Sequence, residues 1–237
     1  MLQHRPLSQI GAVDHGWLKA RLHVAIGGQG HPAHHPIGNL VVFNDDEIAA
    51  GAGFPTHPHA DMEIVTYVRA GVVTHEDSMG NKGQIKAGKV LAMSTGTGIR
   101  HSEYNAHQQP ACLFQIWLWP RERGGVPQWG ICSFPDAERS GAFMPLASGY
   151  QAPGAIAIRA DAEVYGAFLT AGAATRFDIR PGHSGYLVPA SGCVTVNGER
   201  IETRSGLLIR NENAVEVEAL SDAEVILVVT AAVSPPL

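Results

Sequence analysis

Two short runs in the first half of the chain carry side chains suited to binding a metal. His57-Pro58-His59 sets two imidazoles at i and i+2, and His101-Ser102-Glu103 sets an imidazole and a carboxylate at the same spacing. On a β-strand, residues so spaced share a face about 6.6–7 Å apart, and two rings there can lean onto one ion at about 2.0–2.1 Å each. Two such pairs on neighbouring strands offer three imidazoles and one carboxylate. That set suits Fe(II), Zn(II), Cu(II), Ni(II) or Mn(II), and ligand type alone does not choose among them. An octahedral ion would keep two positions open for oxygen chemistry with a chelating substrate, whereas a tetrahedral zinc with four protein ligands would keep none and be structural. Pro58 cannot donate a ladder hydrogen bond, so its strand is expected at an edge or a barrel mouth.

The other histidines are weighed against this pair of motifs. The chain has 12, and only His183 lies beyond residue 107, so a histidine site belongs to the first half. His75 is expected at the surface or behind the ligands rather than on the ion. His15, in Asp14-His15-Gly16-Trp17, is given a structural role, and His31, His34 and His35, with Pro32 and Pro36, a solvated loop. Trp117 and Trp119 are expected in the core or lining a groove. Nothing around Cys193 suggests a nucleophile.

The elements that must position these residues read as short strands. Leu40-Val41-Val42-Phe43 is expected to end in a turn at Asn44-Asp45-Asp46, and Met62 to Val68 is separated by Gly71 from Val72-Val73-Thr74. Cys112 to Trp119 is apolar apart from Gln115, as for a strand buried on most of its surface. Asn197-Gly198 between Cys193–Val196 and Glu199–Glu202 is a strong hairpin signal, and Ala214–Ala219 alternates strictly. With 237 residues, 45% hydrophobic and only 16% charged against about 25% on average, the chain is large enough for a β-rich core and excludes disorder. A net charge of −5 argues against a nucleic-acid surface.

Prolines and glycines break every candidate element from Pro120 to Gly154, including Pro135, which places a connection between two halves there. Tyr67–Thr74 is echoed by Val188–Thr195, and Ala87–Leu91 by Ser205–Ile209, which suggests a duplicated barrel. The repeat offset carries His57 and His59 onto Asp178 and Arg180, and the region matching His101 and Glu103 onto the neighbourhood of Ala219. The second barrel is therefore expected to lack a metal site, which His183 alone cannot supply. Three dispersed cysteines (Cys112, Cys132, Cys193) read as reduced thiols. No apolar leader follows Met1, and the longest apolar run, Val225 to Val233, is broken by Thr230 and too short for a bilayer. A soluble, cytoplasmic protein is expected.

Several motifs together resemble a known family. Gly51, His57-Pro58-His59 and Glu63, with Gly71 one residue late, follow the first cupin motif, and Gly88, Gly98-Ile99-Arg100-His101 and Asn105 resemble the second, with Ser94 in place of its usual proline. Thr56–Glu63, His75–Asn81 and Met93–Glu103 resemble the pirin family, most of all its bacterial quercetin 2,3-dioxygenase-type members. The match is dense from Asn44 to Trp119 and looser beyond.

The resemblance implies an all-β bicupin of two antiparallel jelly-roll barrels, with residues 1–125 binding metal and residues 126–237 not. It implies His57, His59, His101 and Glu103 as ligands and iron as the metal. Cupins more generally ligate through the glutamate at Glu63, which otherwise would orient a ligand histidine. The function implied is cleavage of a flavonol such as quercetin by dioxygen with release of carbon monoxide, Glu103 acting as general base. The alternative is a non-catalytic metal-binding regulator acting through a protein partner. One departure bears on the substrate: Leu22-His23-Val24-Ala25-Ile26-Gly27-Gly28 stands where family members carry an aromatic strand.

Overall fold

The computed structural model describes residues 1–134 and 140–232. Pro135 and Val233 lie outside the described residues. Apart from one 3-10 turn at Leu7–Gln9, the regular elements are strands. They form two barrels on one plan, a bicupin, each a seven-stranded sheet facing a four-stranded one. The first barrel closes over a core that joins Val73, Ile85 and Ile99 of the small sheet to Ile64, Val68, Leu91 and Leu113 of the large one. The two large sheets also pack against each other, through Phe43, Val65, Tyr67, Phe114 and Ile116 of the first and Tyr186, Val188, Ile226 and Val228 of the second.

Each central strand of the first large sheet therefore has two buried faces, and side-chain parity decides which partner a residue meets. On Glu63–Ala70, Ile64, Thr66 and Val68 enter the barrel while Val65 and Tyr67 face the second domain. On Ala111–Leu118, Leu113 and Gln115 point inward and Phe114, Ile116 and Leu118 outward.

The expected turn at Asn44-Asp45-Asp46 is instead the middle of a strand, Leu40–Ile48, paired with Ala111–Leu118 on one side and Leu18–Leu22 on the other. Polarity there reflects side-chain partners, not a break in the ladder. Asp45 faces the domain interface and is ion-paired with Arg69 and with Arg204 of the second domain, whereas Asn44 and Asp46 enter the barrel.

The region expected to connect the halves also contains sheet. Gln128–Ser133 pairs with Lys89–Ser94 in the first large sheet, and Leu2–Arg5 pairs with Gly206–Ile209 in the second, so both strands cross the expected division at residue 125. The hairpin at Asn197-Gly198 forms as expected, with both residues at positive φ, 48° and 83°. Val215 and Val217 are buried and Glu216 and Glu218 exposed. Cys112, Cys132 and Cys193 are free thiols. Among the described residues, no helix is long and apolar enough to cross a membrane.

Candidate metal centre

The two histidine motifs lie on adjacent antiparallel strands of the small sheet. Gly53–His59 is its edge strand and pairs with Ile99–Tyr104, with His57 opposite His101. The register shifts between His101 and Glu103, because Glu103 meets Phe54 and one extra residue of the edge strand is accommodated around Pro55. This bulge shapes the site directly. The Pro55 carbonyl lies 2.8 Å from His57 Nδ1; a carbonyl only accepts, so Nδ1 carries the proton and Nε2 is the free lone pair.

His57, His59 and His101 offer ring nitrogens that all lie within 4.8 Å of one another, which is compatible with one ion at about 2.0–2.1 Å from each. The Nε2 atoms of His59 and His101 are buried without a hydrogen-bond partner. Burial, with the charge of neighbouring His57, lowers the His59 pKa to about 4, and burial with His57, His75 and His59 lowers that of His101 to about 3. The His59 and His101 rings are thus neutral at pH 7, as ligation requires. Three converging imidazoles, two of them with an unpaired, buried nitrogen, fit a divalent metal.

Glu103 is buried and meets His101 and His75 in a second group of the same dimension, not His57 and His59. Thr66 and Gln115 hold it. Gln115 Nε2 donates to its Oε2 at 2.7 Å, while the Thr66 hydroxyl lies 3.1 Å from its Oε1 and 2.7 Å from Gln115 Oε1. A hydroxyl has one proton, so this loop suits two states. With Glu103 ionised, Thr66 donates to it; with Glu103 protonated, the carboxyl donates to Thr66, which donates to Gln115. Burial pushes the Glu103 pKa up, opposed by the Thr66 and Gln115 hydrogen bonds.

Behind His101 runs a relay. His101 Nδ1 lies 3.4 Å from His75 Nδ1, and His75 Nε2 lies 3.4 Å from Asp77 Oδ2. If His101 ligates through Nε2, its Nδ1–H faces the lone pair of a His75 whose own proton points to Asp77. His75 is fully buried and stacks on Trp129 at 5.3 Å, so of the two placements expected for it the one at the surface does not hold, and the ring lies next to His101. Asp77 is fixed by the backbone N–H groups of Met79 and Asn81 and by the Asn81 amide.

Glu63 takes neither of its expected roles. Its Oε2 accepts from Ser94 Oγ at 2.5 Å and from the Arg159 backbone N–H at 2.9 Å. The reason is parity: Glu63 shares the outward face of its strand with Val65 and Tyr67, opposite to Thr66, and ties the two domains together. His34 also departs from expectation. It is 3% exposed rather than solvated, and it stacks with His31 at 4.5 Å.

The candidate ligand side chains open into a cavity of about 210 Å³. Leu18, Ala20, Leu22, Ile26, Phe54 and Ile64 supply apolar wall, while His15 and Trp117 also line it. Trp117 packs edge-on against His59 at 4.9 Å, a groove-lining position, and His15 faces the cavity instead of serving only the scaffold. In the stretch that departs from the family pattern, Leu22 and Ile26 line the cavity, and His23 turns away to Tyr186 Oη at 2.9 Å. Sequence reasoning missed Asn44 and Asp46 as cavity residues and Thr66 as a partner of Glu103. The available signals were the lone Gln115 in an apolar strand and the i, i+2 spacing of Asn44 and Asp46.

Comparison with known proteins agrees with this architecture. The family described as Pirin matches residues 4–118, and the quercetinase C-terminal cupin domain matches residues 145–228. A Pirin-like protein of Caulobacter vibrioides is 49% identical over 96% of this chain and 99% of its own length. The chain belongs to the pirin family. A quercetin 2,3-dioxygenase of Escherichia coli strain K12 is 38% identical over 96% of this chain and 97% of its own. The crystal structure of the E. coli bacterial pirin YhhW in complex with nickel(II) superposes with a TM-score of 0.92 at 37% identity, covering 98% of this pirin and 100% of that chain.

Proposed function

We propose that this pirin is a metal-dependent dioxygenase that opens the heterocyclic ring of a flavonol such as quercetin. The two oxygen atoms of dioxygen go to C2 and C4, the C2–C3 and C3–C4 bonds break, and C3 leaves with its own oxygen as carbon monoxide. The observation that carries the reading is a set of unpaired imidazole nitrogens beside a buried carboxylate on a proton-accommodating network, at the base of a largely apolar cavity. A relative at 38% identity bears the name of that activity.

His57, His59, His101 and Glu103 would hold the metal, Fe(II) in this proposal. When bound it supplies a chelation point for the substrate's adjacent hydroxyl and carbonyl and a route for electrons to dioxygen. Glu103 accepts the proton of the substrate hydroxyl, and burial raises its basicity in the direction that task needs. Thr66 reverses its hydrogen bond as the proton arrives, so no charged group is left without a partner. His75 and Asp77 hold the His101 ring in the ligating tautomer. The apolar wall takes the flat rings. At about 210 Å³ the cavity is smaller than the ~300 Å³ at which drug-sized ligands are wholly enclosed, so a flavonol keeps one end at the mouth.

The test is protein stripped and reloaded anaerobically with Fe, Mn, Cu or Ni, then mixed with quercetin and oxygen. Loss of the flavonol absorbance with carbon monoxide release is expected with at least one metal. No loss with any of them ends the proposal.

A further inference from the structure

The candidate centre uses the histidines and Glu103 but leaves other polar atoms in the same cavity without partners. Asn44 Oδ1, Asp46 Oδ1 and Trp117 Nε1 are buried, make no hydrogen bond, and belong to side chains that line it. Asp46 is only 2% exposed. Buried polar groups are normally paired, and an orphan costs stability. Several in one cavity beside a metal centre point to a ligand that pairs them.

Their arrangement follows from strand register. Asn44 lies in a row with Gln115 and Thr66 across three strands, beside the network that holds Glu103. Asp46, two residues on and on the same face, lies in the next row between Ala20 and Leu113. Two oxygen acceptors therefore flank the floor of the cavity, with an indole N–H among the groups that line it. Among the described residues Asp46 has no ion pair, since nearby Arg69 is ion-paired with Asp45 on the opposite face of the strand.

We propose that Asn44 and Asp46 form a hydroxyl-recognition face that selects metal-chelating aromatics carrying phenolic hydroxyls beyond the chelating pair. The inference rests on the flavonol reading and deepens it by naming which substituents the site reads. Phenolic O–H groups donate to Asn44 Oδ1 and Asp46, and Trp117 Nε1 donates to a ring oxygen substituent. An analogue with the chelating pair alone leaves these groups unpaired, the arrangement by which a polar site rejects a substrate lacking its hydroxyl.

The experiment compares two probes on the full chain loaded with Ni(II) and kept anaerobic: quercetin, and 3-hydroxyflavone, which keeps the chelating pair and lacks the other hydroxyls. Calorimetric titration of the wild type is expected to give at least tenfold tighter binding of quercetin. Asn44→Leu and Asp46→Leu should each weaken quercetin about 2- to 10-fold and move 3-hydroxyflavone less than twofold. The same variants should raise the ligand-free thermal midpoint by about 2–4 °C, since an unpaired polar group is removed. A merely structural role would move stability and binding of both probes together. Asp46→Asn keeps shape and hydrogen-bonding capacity and should retain most of the preference, which separates recognition from misfolding. Equal binding of both probes by the wild type, or equal weakening of both by the variants, overturns the recognition face and leaves the flavonol reading standing. Binding of neither probe by the wild type overturns both. Preferential binding lost in the variants, without turnover by the protein loaded with any of Fe, Mn, Cu or Ni, upholds the recognition face and removes the reaction.

Discussion

The two barrels share a plan and differ in what fills it. Counting across equivalent strands of the two large sheets, the first barrel's interior row runs Leu91, Thr66, Gln115, Asn44. The matching row of the second runs Leu207, Leu187, Leu227, Tyr165. One interior is a hydrogen-bonded floor for Glu103; the other is continuous hydrophobic core. Asp178 and Arg180, at the positions that the repeat offset gives for His57 and His59, are exposed, and Arg180 pairs with Glu163 at 3.0 Å. Both three-ligand groups found among the described residues lie in the first barrel. A duplicated fold thus separates two tasks: one copy tolerates buried polar groups for chemistry, and the other is packed for stability against the back of the same sheet.

That contrast can be broken from either side. The largest effect belongs to His101→Ala, which removes the ligand common to both groups; bound metal measured by elemental analysis should fall to background, with flavonol loss following it. On the other side, Leu227→Ala opens the apolar row and should cost about 2–5 kcal/mol in urea unfolding. The metal content of its folded fraction should stay at the wild-type level. If Leu227→Ala instead emptied the first barrel of metal, the two tasks would not be separable.

Smaller effects sharpen the first barrel itself. His75→Phe keeps the ring stack on Trp129 but removes the acceptor facing His101 Nδ1, and should weaken metal binding 10–100-fold in competition titrations. Asp46 gives a pH signature in the metal-free protein. Burial, with Asp45 and Glu103 nearby, raises its pKa from 3.8 to about 8. Below the lower value both folded and unfolded chains hold the proton. Between the two only the folded chain does, so stability falls as pH rises, by up to ~1.4 kcal/mol per pH unit for one proton. Asp46→Asn should flatten that slope between pH 4 and 8. The smallest effect is Gly198→Ala in the second barrel's hairpin, at φ 83°, expected to cost about 1 kcal/mol or slightly more, with no change in metal binding.

Much of this was legible in the sequence because strand spacing is regular. His57 and His59 share a face by the i, i+2 rule, as do His101 and Glu103, and His101 meets the first pair because their strands are neighbours. The repeat near an offset of 120 residues, flagged by Tyr67–Thr74 and Val188–Thr195, places Thr66 and Leu187 in matching rows. What was not legible depended on tertiary partners. A central strand buried on both faces carries no amphipathic signature, so Asn44-Asp45-Asp46 looked like a turn when its residues were answering Arg69, Arg204 and the cavity. Glu63 looked like a ligand from motif spacing, and only the face of its strand excludes it. His34 was hidden because loop composition does not reveal which ring folds inward.

The most direct test of the account is metal stoichiometry on the untagged full-length chain, wild type and His57→Ala, after equilibration with Fe(II) under anaerobic conditions and removal of unbound ion. The account predicts one ion per wild-type chain and none retained by the variant, with the variant's unfolding midpoint in the metal-free state near that of the wild type. Two ions per wild-type chain, or one ion retained by folded His57→Ala, would contradict a single centre built in the first barrel.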